Sequence, residues 1–378
     1  MPTPRRIHGV TAGLGALAIL MTIAPLARAQ TPAAPRGDAG QRQPAPRDRR
    51  NPDKWRLTFR AGESIPGAPS SGLSALPPVG LPQNFLPGLA DRAVPSWYFG
   101  DGSTILNANL PPGGHPITPL DGVLTSAAIA RSAGPLFGFT ISRAITPRFR
   151  LEFSADASRT APAFTSSARQ AIETSRAGFV DAFGSLFAVP FFQNPSVSST
   201  ATVSDGSRVE WLISGAIDVM LHATPRSEWH ATVGVGLLSV GADGPTATLD
   251  GRDAFRVVSR AFAEEDRVTI SSLLDRRTFL LLGGGWSHTL SRRWGVSGDL
   301  RVALSGPGEV TQVSTSPTVT RFSPPDIPTI VTGPGAPTLT FSNNGASTLS
   351  TTLAPFTTFV STGVQVRAEL TAGLFLRF

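Results

Sequence analysis

Cysteine is absent from the 378 residues of this chain. Its absence excludes disulfide bonds, thiol catalysis, cysteine-ligated metals and the acylated cysteine that anchors a lipoprotein. A chain without that anchor reaches a membrane only by inserting into it.

Long apolar runs are also absent after residue 30. A helix that spans a bilayer needs about 20 consecutive apolar residues, and the sequence beyond that point does not supply them. A closed β-barrel is the other structure that satisfies every backbone polar group in lipid. If the chain spans a membrane, the sequence therefore predicts that it does so as a barrel.

The apolar stretch that does occur lies at the N-terminus. Arg5 and Arg6 precede VTAGLGALAILMTIAPL, and Ala27-Arg28-Ala29 fits the small-residue cleavage pattern of a secretory signal. The run is short for a spanning helix and no stop-transfer flank follows it. We expect residues 1–29 to be removed as a signal peptide, so that the mature chain begins at Gln30.

The formal charge of +7 overstates how basic the folded part is. Three arginines leave with the signal, and the Pro/Arg-rich segment 30–53 holds five Arg against three Asp. We predict that this segment is a disordered tail. The remaining basic and acidic residues are interleaved, so no nucleic-acid partner is expected.

The last segment, VQVRAELTAGLFLRF, alternates between apolar and polar residues as a β-strand does when its two faces meet different solvents. The apolar face carries Val364, Val366, Ala368, Leu370, Ala372, Leu374, Leu376 and Phe378. The other face carries Gln365, Arg367, Glu369, Thr371, Gly373 and Arg377. One face suits lipid and the other suits water.

Four segments repeat one device, in which a charged or polar residue and an aromatic residue open an alternating strand. They are KWRLTF at Trp55, RFRLEF at Phe149, EWHATV at Trp229 and RWGVSG at Trp294. Three of them follow tight turns, whereas long links rich in Pro, Ser, Thr and Gly join the other strand ends. The count is eight strands, or ten if STILNANL in the first long link forms a hairpin.

The alternation also assigns charged side chains to the inside. The predicted inward set is Arg56, Arg60, Arg150, Glu152, Asp156, Glu210, Asp218, Asp299, Arg301, Arg367 and Glu369. Eight strands enclose just enough space for side chains to fill, and isolated buried charges are costly. We therefore expect an ion-paired, packed lumen without an open pore.

The terminal Phe378 and the pattern of short turns and long loops resemble the small bacterial outer-membrane β-barrels of the OmpA/OmpX/OmpW class, over residues 54–378. The resemblance implies an eight-stranded antiparallel transmembrane barrel, with short turns in the periplasm and long loops outside the cell. It implies contact with outer-membrane lipids and lipopolysaccharide, and recognition of Phe378 by the barrel-assembly machinery. The aromatic set Trp55, Phe149, Trp229, Trp294 and Phe378 would form the periplasmic girdle, and segment 30–53 would be a periplasmic tail.

The long loops contain three further patterns. TSSARQAIETSRAGFVDAFGSLF has helical spacing with Thr165 as its N-cap, and DAFRVVSRAFAEEDRV is a less regular candidate helix. Such a helix would either gate entry of a small ligand or pack on neighbouring loops. The Trp97-Tyr98-Phe99 cluster would either bind a surface partner or anchor its loop.

Catalytic signals are sparse. His222 and His230 are expected to face in and His288 to face lipid, without the ligand spacing of a metal site. A lipid A hydrolase would need a His, a Ser and an acid at the outer side, where His115 lies, and no G-x-S-x-G motif occurs. The sequence favours a monomeric barrel without cofactor or catalysis, acting in envelope integrity, adhesion or shielding. A narrow channel or carrier gated by loop helices is the alternative.

Overall fold

The computed structural model of the chain describes residues 55–67, 72–77, 94–188, 190, 192–206, 208–241, 244–257, 260–274, 276–306, 308–321 and 351–378. The predicted signal peptide (1–29) and disordered tail (30–53) lie outside these residues and stay predictions.

In chain order the described residues form β1 (Trp55–Pro66), β2 (Gly72–Ser74), α1 (Gly100–Ala108), α2 (Asp121–Leu124), β3 (Ile129–Arg131), β4 (Gly134–Ala144), β5 (Phe149–Thr160), β6 (Pro162–Phe164), α3 (Ser166–Phe187), β7 (Gln193–Ser204), β8 (Arg208–Ala223), β9 (Ser227–Gly241), β10 (Thr246–Val257), β11 (Arg260–Leu274), β12 (Arg277–Thr289), β13 (Trp294–Ser305), β14 (Glu309–Thr315), β15 (Thr318–Arg321), β16 (Leu353–Ser361) and β17 (Gln365–Arg377). None of the described helices is both long and apolar enough to cross a membrane.

Eight strands close into an antiparallel barrel in the order β1-β17-β13-β12-β9-β8-β5-β4. This confirms the predicted eight-stranded barrel. The ten-stranded alternative is wrong, because most of STILNANL lies in α1. The glycine-rich strand β12 also pairs in an unbroken register with β9 and β13.

Alternation along β8 shows how the sequence sets the two faces of the wall. Trp211 and Ile213 are exposed on the outside, while Glu210, Ser214 and Asp218 are buried on the inside. Because side chains of a strand alternate between faces, one register serves both environments, and a slip by one residue would place the charges outside.

The two ends of the barrel differ. Three short turns, around residues 145–148, 224–226 and 290–293, lie at one end together with Trp55 and Phe378, whose backbones bond to each other. We call it the turn end. The opposite end leads into the long links, and we call it the cap end.

At the cap end the wall continues as a second sheet, in the order β2-β16-β14-β11-β10-β7, with β15 paired to β11. Each strand of this second sheet is next in the chain to one strand of the barrel. The order of the second sheet therefore matches the order of the corresponding barrel strands, which is β1-β17-β13-β12-β9-β8. The small ribbon of β3 and β6 likewise extends β4 and β5. We call this extension, with α1, α2 and α3, the cap.

Helix α3 occupies the interior of the cap. Thr165 accepts a hydrogen bond from the Ala168 amide at 3.1 Å, which confirms the predicted helix and its N-cap. Its apolar side packs into one continuous core with residues from the first loop and the cap sheet. That core includes Trp97, Tyr98, Phe99, Leu106, Leu120, Ile172, Phe179, Phe183, Leu186, Leu249, Phe255, Val268, Ile270 and Val313.

Two loop interpretations change. The segment DAFRVVSRAFAEEDRV is not a helix but lies in the paired strands β10 and β11, because alternate residues such as Phe255 and Phe262 bury themselves against α3. Trp97, Tyr98 and Phe99 do not form an exposed binding cluster. They are almost fully buried, and Tyr98 stacks on Phe179 at 5.1 Å.

Candidate functional site

The barrel interior is the candidate site, and the structure places all eleven predicted lumen residues on the inner face. They are Arg56, Arg60, Arg150, Glu152, Asp156, Glu210, Asp218, Asp299, Arg301, Arg367 and Glu369. The alternation of each strand accounts for all of these positions.

Two ion pairs cross the bore from one wall to the opposite wall. Arg301 on β13 lies 2.6 Å from the Glu152 carboxylate on β5, four strands away in the ring of eight. Arg367 on β17 pairs with Glu210 on β8, also four strands away. Because these side chains meet across the full diameter, they occupy the space through which a solute would pass.

A third pair lines the wall. The Arg60 guanidinium binds both oxygens of the Asp156 carboxylate, and its Nε donates at 2.6 Å. Gly138 lies between the two on β4, where a side chain would overlap the carboxylate. Gly285 leaves the same kind of space beside Asp299. Glycine is thus required at both positions by close approach.

The middle of the lumen holds a small polar cavity beside His230. The imidazole Nε2 lies 3.1 Å from Asp299, and Thr232 donates to Asp218 at 2.7 Å. The volume of this cavity is about 20 Å³, which is little more than one water molecule needs. Part of the lining comes from Arg56, Arg60, Arg150, Glu152 and Arg301.

The three strand histidines lie apart from one another. His230 faces in and His288 faces out beside Trp286, as predicted. The prediction that His222 faces in is wrong, because a bulge after Met220 places it opposite the outward Trp229. Within the described part of the chain, no group of three His, Asp or Glu residues could hold a metal ion.

The turn end of the lumen holds a charged cluster whose acidic member, Glu228, was not among the predicted inward residues. Glu228 binds Arg150 at 3.0 Å and Arg377 at 3.1 Å, and Arg56 lies 3.9 Å away. Phe375 is fully buried beneath these groups, with the Arg56 guanidinium 3.7 Å from its ring centre. Its position on the polar face of an alternating strand was the signal that could have revealed it.

The sequence analysis also did not identify an apolar layer inside the lumen. It lies inside the barrel wall formed by β8, β9, β12 and β13 and comprises Leu212, Ala216, Leu238, Phe279, Leu281 and Ala303. The run FLLL on β12 contained the signal, because alternate residues of a strand cannot all face lipid. The lumen is therefore packed by apolar side chains as well as by ion pairs.

The predicted girdle residues lie on the outer face near the turn end. Trp55, Phe149, Trp229, Trp294 and Phe378 are all exposed large side chains. Amphipathic aromatic rings at a common depth are typical of the boundary between lipid and water.

The cap contains buried acids that the sequence reading did not single out. Asp253, Glu264 and Asp266 all point into the cap interior from β10 and β11. Burial raises the pKa of Asp266 to about 7, although its carboxylate accepts from the Trp97 amide at 2.6 Å and from Ser96 at 3.0 Å. Burial also raises the pKa of Asp253, and the neighbouring acids Glu264 and Asp266 add to the effect.

These pKa values predict that the cap loosens as the pH rises. A carboxyl whose pKa is higher in the folded state stabilises the fold fully below its unfolded pKa, and this contribution is lost as the pH rises through the folded value. Because the pKa of Asp266 rises from its ordinary 3.8 to about 7 in the folded state, ionisation of this carboxyl alone would remove about 4 kcal/mol from the free energy of unfolding of the cap. The protection factors of the α3 amides, in which the base-catalysed rise of intrinsic exchange is divided out, should fall as the pH rises from 4 to 8 in a hydrogen-exchange experiment.

The variant Asp266→Asn should flatten this exchange profile, because the amide oxygen still accepts from Trp97 without ionising. Asp181→Asn, at an exposed position of α3, is the matched control and should leave the profile unchanged. A native profile independent of pH would contradict the prediction.

Taken together, a closed eight-stranded antiparallel barrel, an apolar outer face and a charged inner face define the class of small outer-membrane β-barrels. No known family model matches the chain, and no curated protein matches it by sequence. Among solved structures, the outer membrane protein OprG from Pseudomonas aeruginosa is similar at 9% identity and a TM-score of 0.35, covering 85% of this chain and 96% of that one. The outer membrane protease OmpT from Escherichia coli is similar at 7% identity and a TM-score of 0.28, covering 87% and 98%.

Proposed function

We propose that the protein spans the outer membrane as a non-conducting barrel that carries a folded cap at the cell surface. Its role is structural and interactive, in envelope integrity, adhesion or shielding, without catalysis. Residues 1–29 direct its export, Phe378 is read by the barrel-assembly machinery, and the monomer sits among phospholipid and lipopolysaccharide. The segment 30–53 stays in the periplasm.

The observation that carries this proposal is the pair of salt bridges across the bore. A channel needs a continuous polar path, whereas Arg301–Glu152 and Arg367–Glu210 tie opposite walls together. The apolar layer around Phe279 and Leu281 adds a second obstruction. Buried ion pairs stay in place, because separating the two charges would leave each one unpaired in a poorly solvated space.

The cap supports the surface role. Helix α3 shares its core with the first loop and the cap sheet, so it does not stand free as a gate. The wall of the barrel runs directly into the cap sheet, which gives the protein a stiff surface structure of defined shape. Such a structure suits contact or shielding better than passage of solutes.

Conductance in a planar bilayer tests the closed lumen. We expect the refolded full chain to insert without steady single-channel steps. The quadruple variant Arg301→Ala/Glu152→Ala/Arg367→Ala/Glu210→Ala should admit ions as brief, small steps, because it removes both crossing pairs and leaves water-filled space. The matched quadruple variant Arg252→Ala/Glu265→Ala/Arg169→Ala/Asp205→Ala removes two exposed pairs outside the lumen and should stay silent. Steady steps from the native protein would overturn the proposal in favour of a channel.

Mass spectrometry of lipid A from cells that express the protein tests the absence of catalysis. An unchanged acyl pattern is expected. A changed pattern that is lost on substitution of His115 would establish a lipid A hydrolase in place of a structural role.

A further inference from the structure

The turn end carries a ring of exposed arginines. Arg143, Arg148, Arg226, Arg292 and Arg293 are all exposed, and within the described part of the chain none of them forms an ion pair. These side chains take no part in the lumen network. Their charge is therefore available to a partner outside the barrel.

The strand order spreads these arginines around the whole circumference. The turns between β4 and β5, β8 and β9, and β12 and β13 are separated from one another around the ring and carry Arg148, Arg226 and the pair Arg292 and Arg293. The fourth corner, where Trp55 of β1 bonds to Phe378, has Arg143 on the neighbouring strand β4. Each corner of the turn end thus bears at least one guanidinium.

Each of these corners also pairs arginine with an aromatic ring. Arg148 precedes Phe149, Arg293 precedes Trp294, and Arg226 lies three residues before Trp229. At the fourth corner the Arg143 guanidinium lies 5.2 Å from the centre of the Trp55 ring. The arrangement occurs four times, so it belongs to the architecture of this end.

Among the described residues, the acidic side chain nearest this end, Glu228, does not offset the ring. Glu228 points into the lumen, where its carboxylate already binds Arg150 and Arg377. The outward surface of the turn end therefore has an excess of positive charge, placed directly beside rings that favour the boundary between lipid and water.

We propose that this ring binds the headgroups of anionic phospholipids in the leaflet at the turn end. A guanidinium presents paired donors that match a phosphate, and an aromatic ring beside it fits the ester level of the bilayer. Positive side chains close to an anionic membrane surface attract it strongly. The headgroup that this ring would bind is a phosphodiester without a compensating amine. The inference rests on the membrane insertion proposed above.

Lipid retention in nanodiscs tests this inference. The full chain is inserted into discs of phosphatidylethanolamine and phosphatidylglycerol in equal parts, and native mass spectrometry counts the lipids that remain bound on release. We expect the native protein to retain phosphatidylglycerol preferentially. The variant Arg143→Gln/Arg148→Gln/Arg226→Gln/Arg292→Gln/Arg293→Gln should lower this preference by about tenfold or more.

The control replaces five arginines of the cap, in Arg169→Gln/Arg252→Gln/Arg256→Gln/Arg267→Gln/Arg276→Gln. It should keep the preference, and an equal loss in both variants would overturn the inference. If the turn-end variant does not fold, Arg292→Gln/Arg293→Gln serves instead, and retention equal to native would then count against the ring.

Two further outcomes separate this inference from the proposed function. A chain that does not insert into the discs at all contradicts the membrane barrel, whereas insertion without lipid preference contradicts the arginine ring alone. In discs that also contain lipid A, preferential retention of lipid A through the same arginines would replace the phospholipid as occupant and overturn the proposal.

Discussion

Replacing Arg301 with methionine is expected to lower the free energy of unfolding of the barrel by about 3–5 kcal/mol, because Glu152 is left as an unpaired charge inside the lumen. The two side chains meet at 2.6 Å and both are almost fully buried. Equilibrium unfolding in urea, with the refolded protein in lipid vesicles, measures the change. The variant Glu152→Leu should cost a similar amount, since it leaves Arg301 without its partner.

The double variant Arg301→Met/Glu152→Leu is the decisive control. Two apolar side chains of similar size leave no charge behind, so most of the lost stability should return. If the double variant loses the sum of the two single losses, the charges act independently and the crossing pair does not join the two walls. The exposed pair Arg252 and Glu265 on the cap provides a reference, and its removal should cost less than about 1 kcal/mol.

The barrel could be predicted from the sequence because each strand carries its environment in its alternation. Arg150, Glu152 and Asp156 are separated by even numbers of residues along β5, so their side chains share one face of the strand. Because the other face meets lipid, this face must point into the lumen. Which acid meets which arginine could not be predicted in the same way. Glu152 pairs with Arg301 across the bore, and that pairing depends on the stagger of strands far apart in the chain.

Two local features account for part of what was missed within the barrel. The bulge after Met220 turns His222 outward, and a bulge inserts one residue without a clear mark in the sequence. Phe375 is an aromatic residue at an inward position, where it packs beneath Arg56. Local periodicity does not reveal the bulge, whereas it does give the inward position of Phe375.

The cap was predicted only in part. Helix α3 has a strong period and a threonine cap, so its own sequence determines it. The strands β10 and β11 were misread as a helix because VVSRAFAEE has good helix formers at mixed spacing. Pairing with β7 and β14, which lie in other long links, overrode that local preference.

Replacing Phe179 with alanine is expected to unfold the cap while the barrel stays intact. The ring is fully buried and stacks on Tyr98, with 5.1 Å between the ring centres. The centre of the Phe183 ring lies 4.6 Å from its own centre. Loss of a buried phenylalanine costs about 3–5 kcal/mol, a large share of what a cap of this size can hold. Limited proteolysis should therefore cut within α3 and β7 of the variant, whereas the native cap resists.

The barrel provides the internal reference for that experiment. Its strands meet lipid and pair in a closed ring, so the shift in gel mobility between unheated and boiled samples should persist in Phe179→Ala. Gln170→Ala, at an exposed position of the same helix, should leave the cap resistant. Gly251→Val should reproduce the effect of Phe179→Ala, because a side chain at Gly251 would overlap the Tyr98 hydroxyl and the Phe179 ring. If the variant lost the gel shift of the barrel together with the cap, the two parts would unfold as one unit. The cap would then contribute to the stability of the barrel wall.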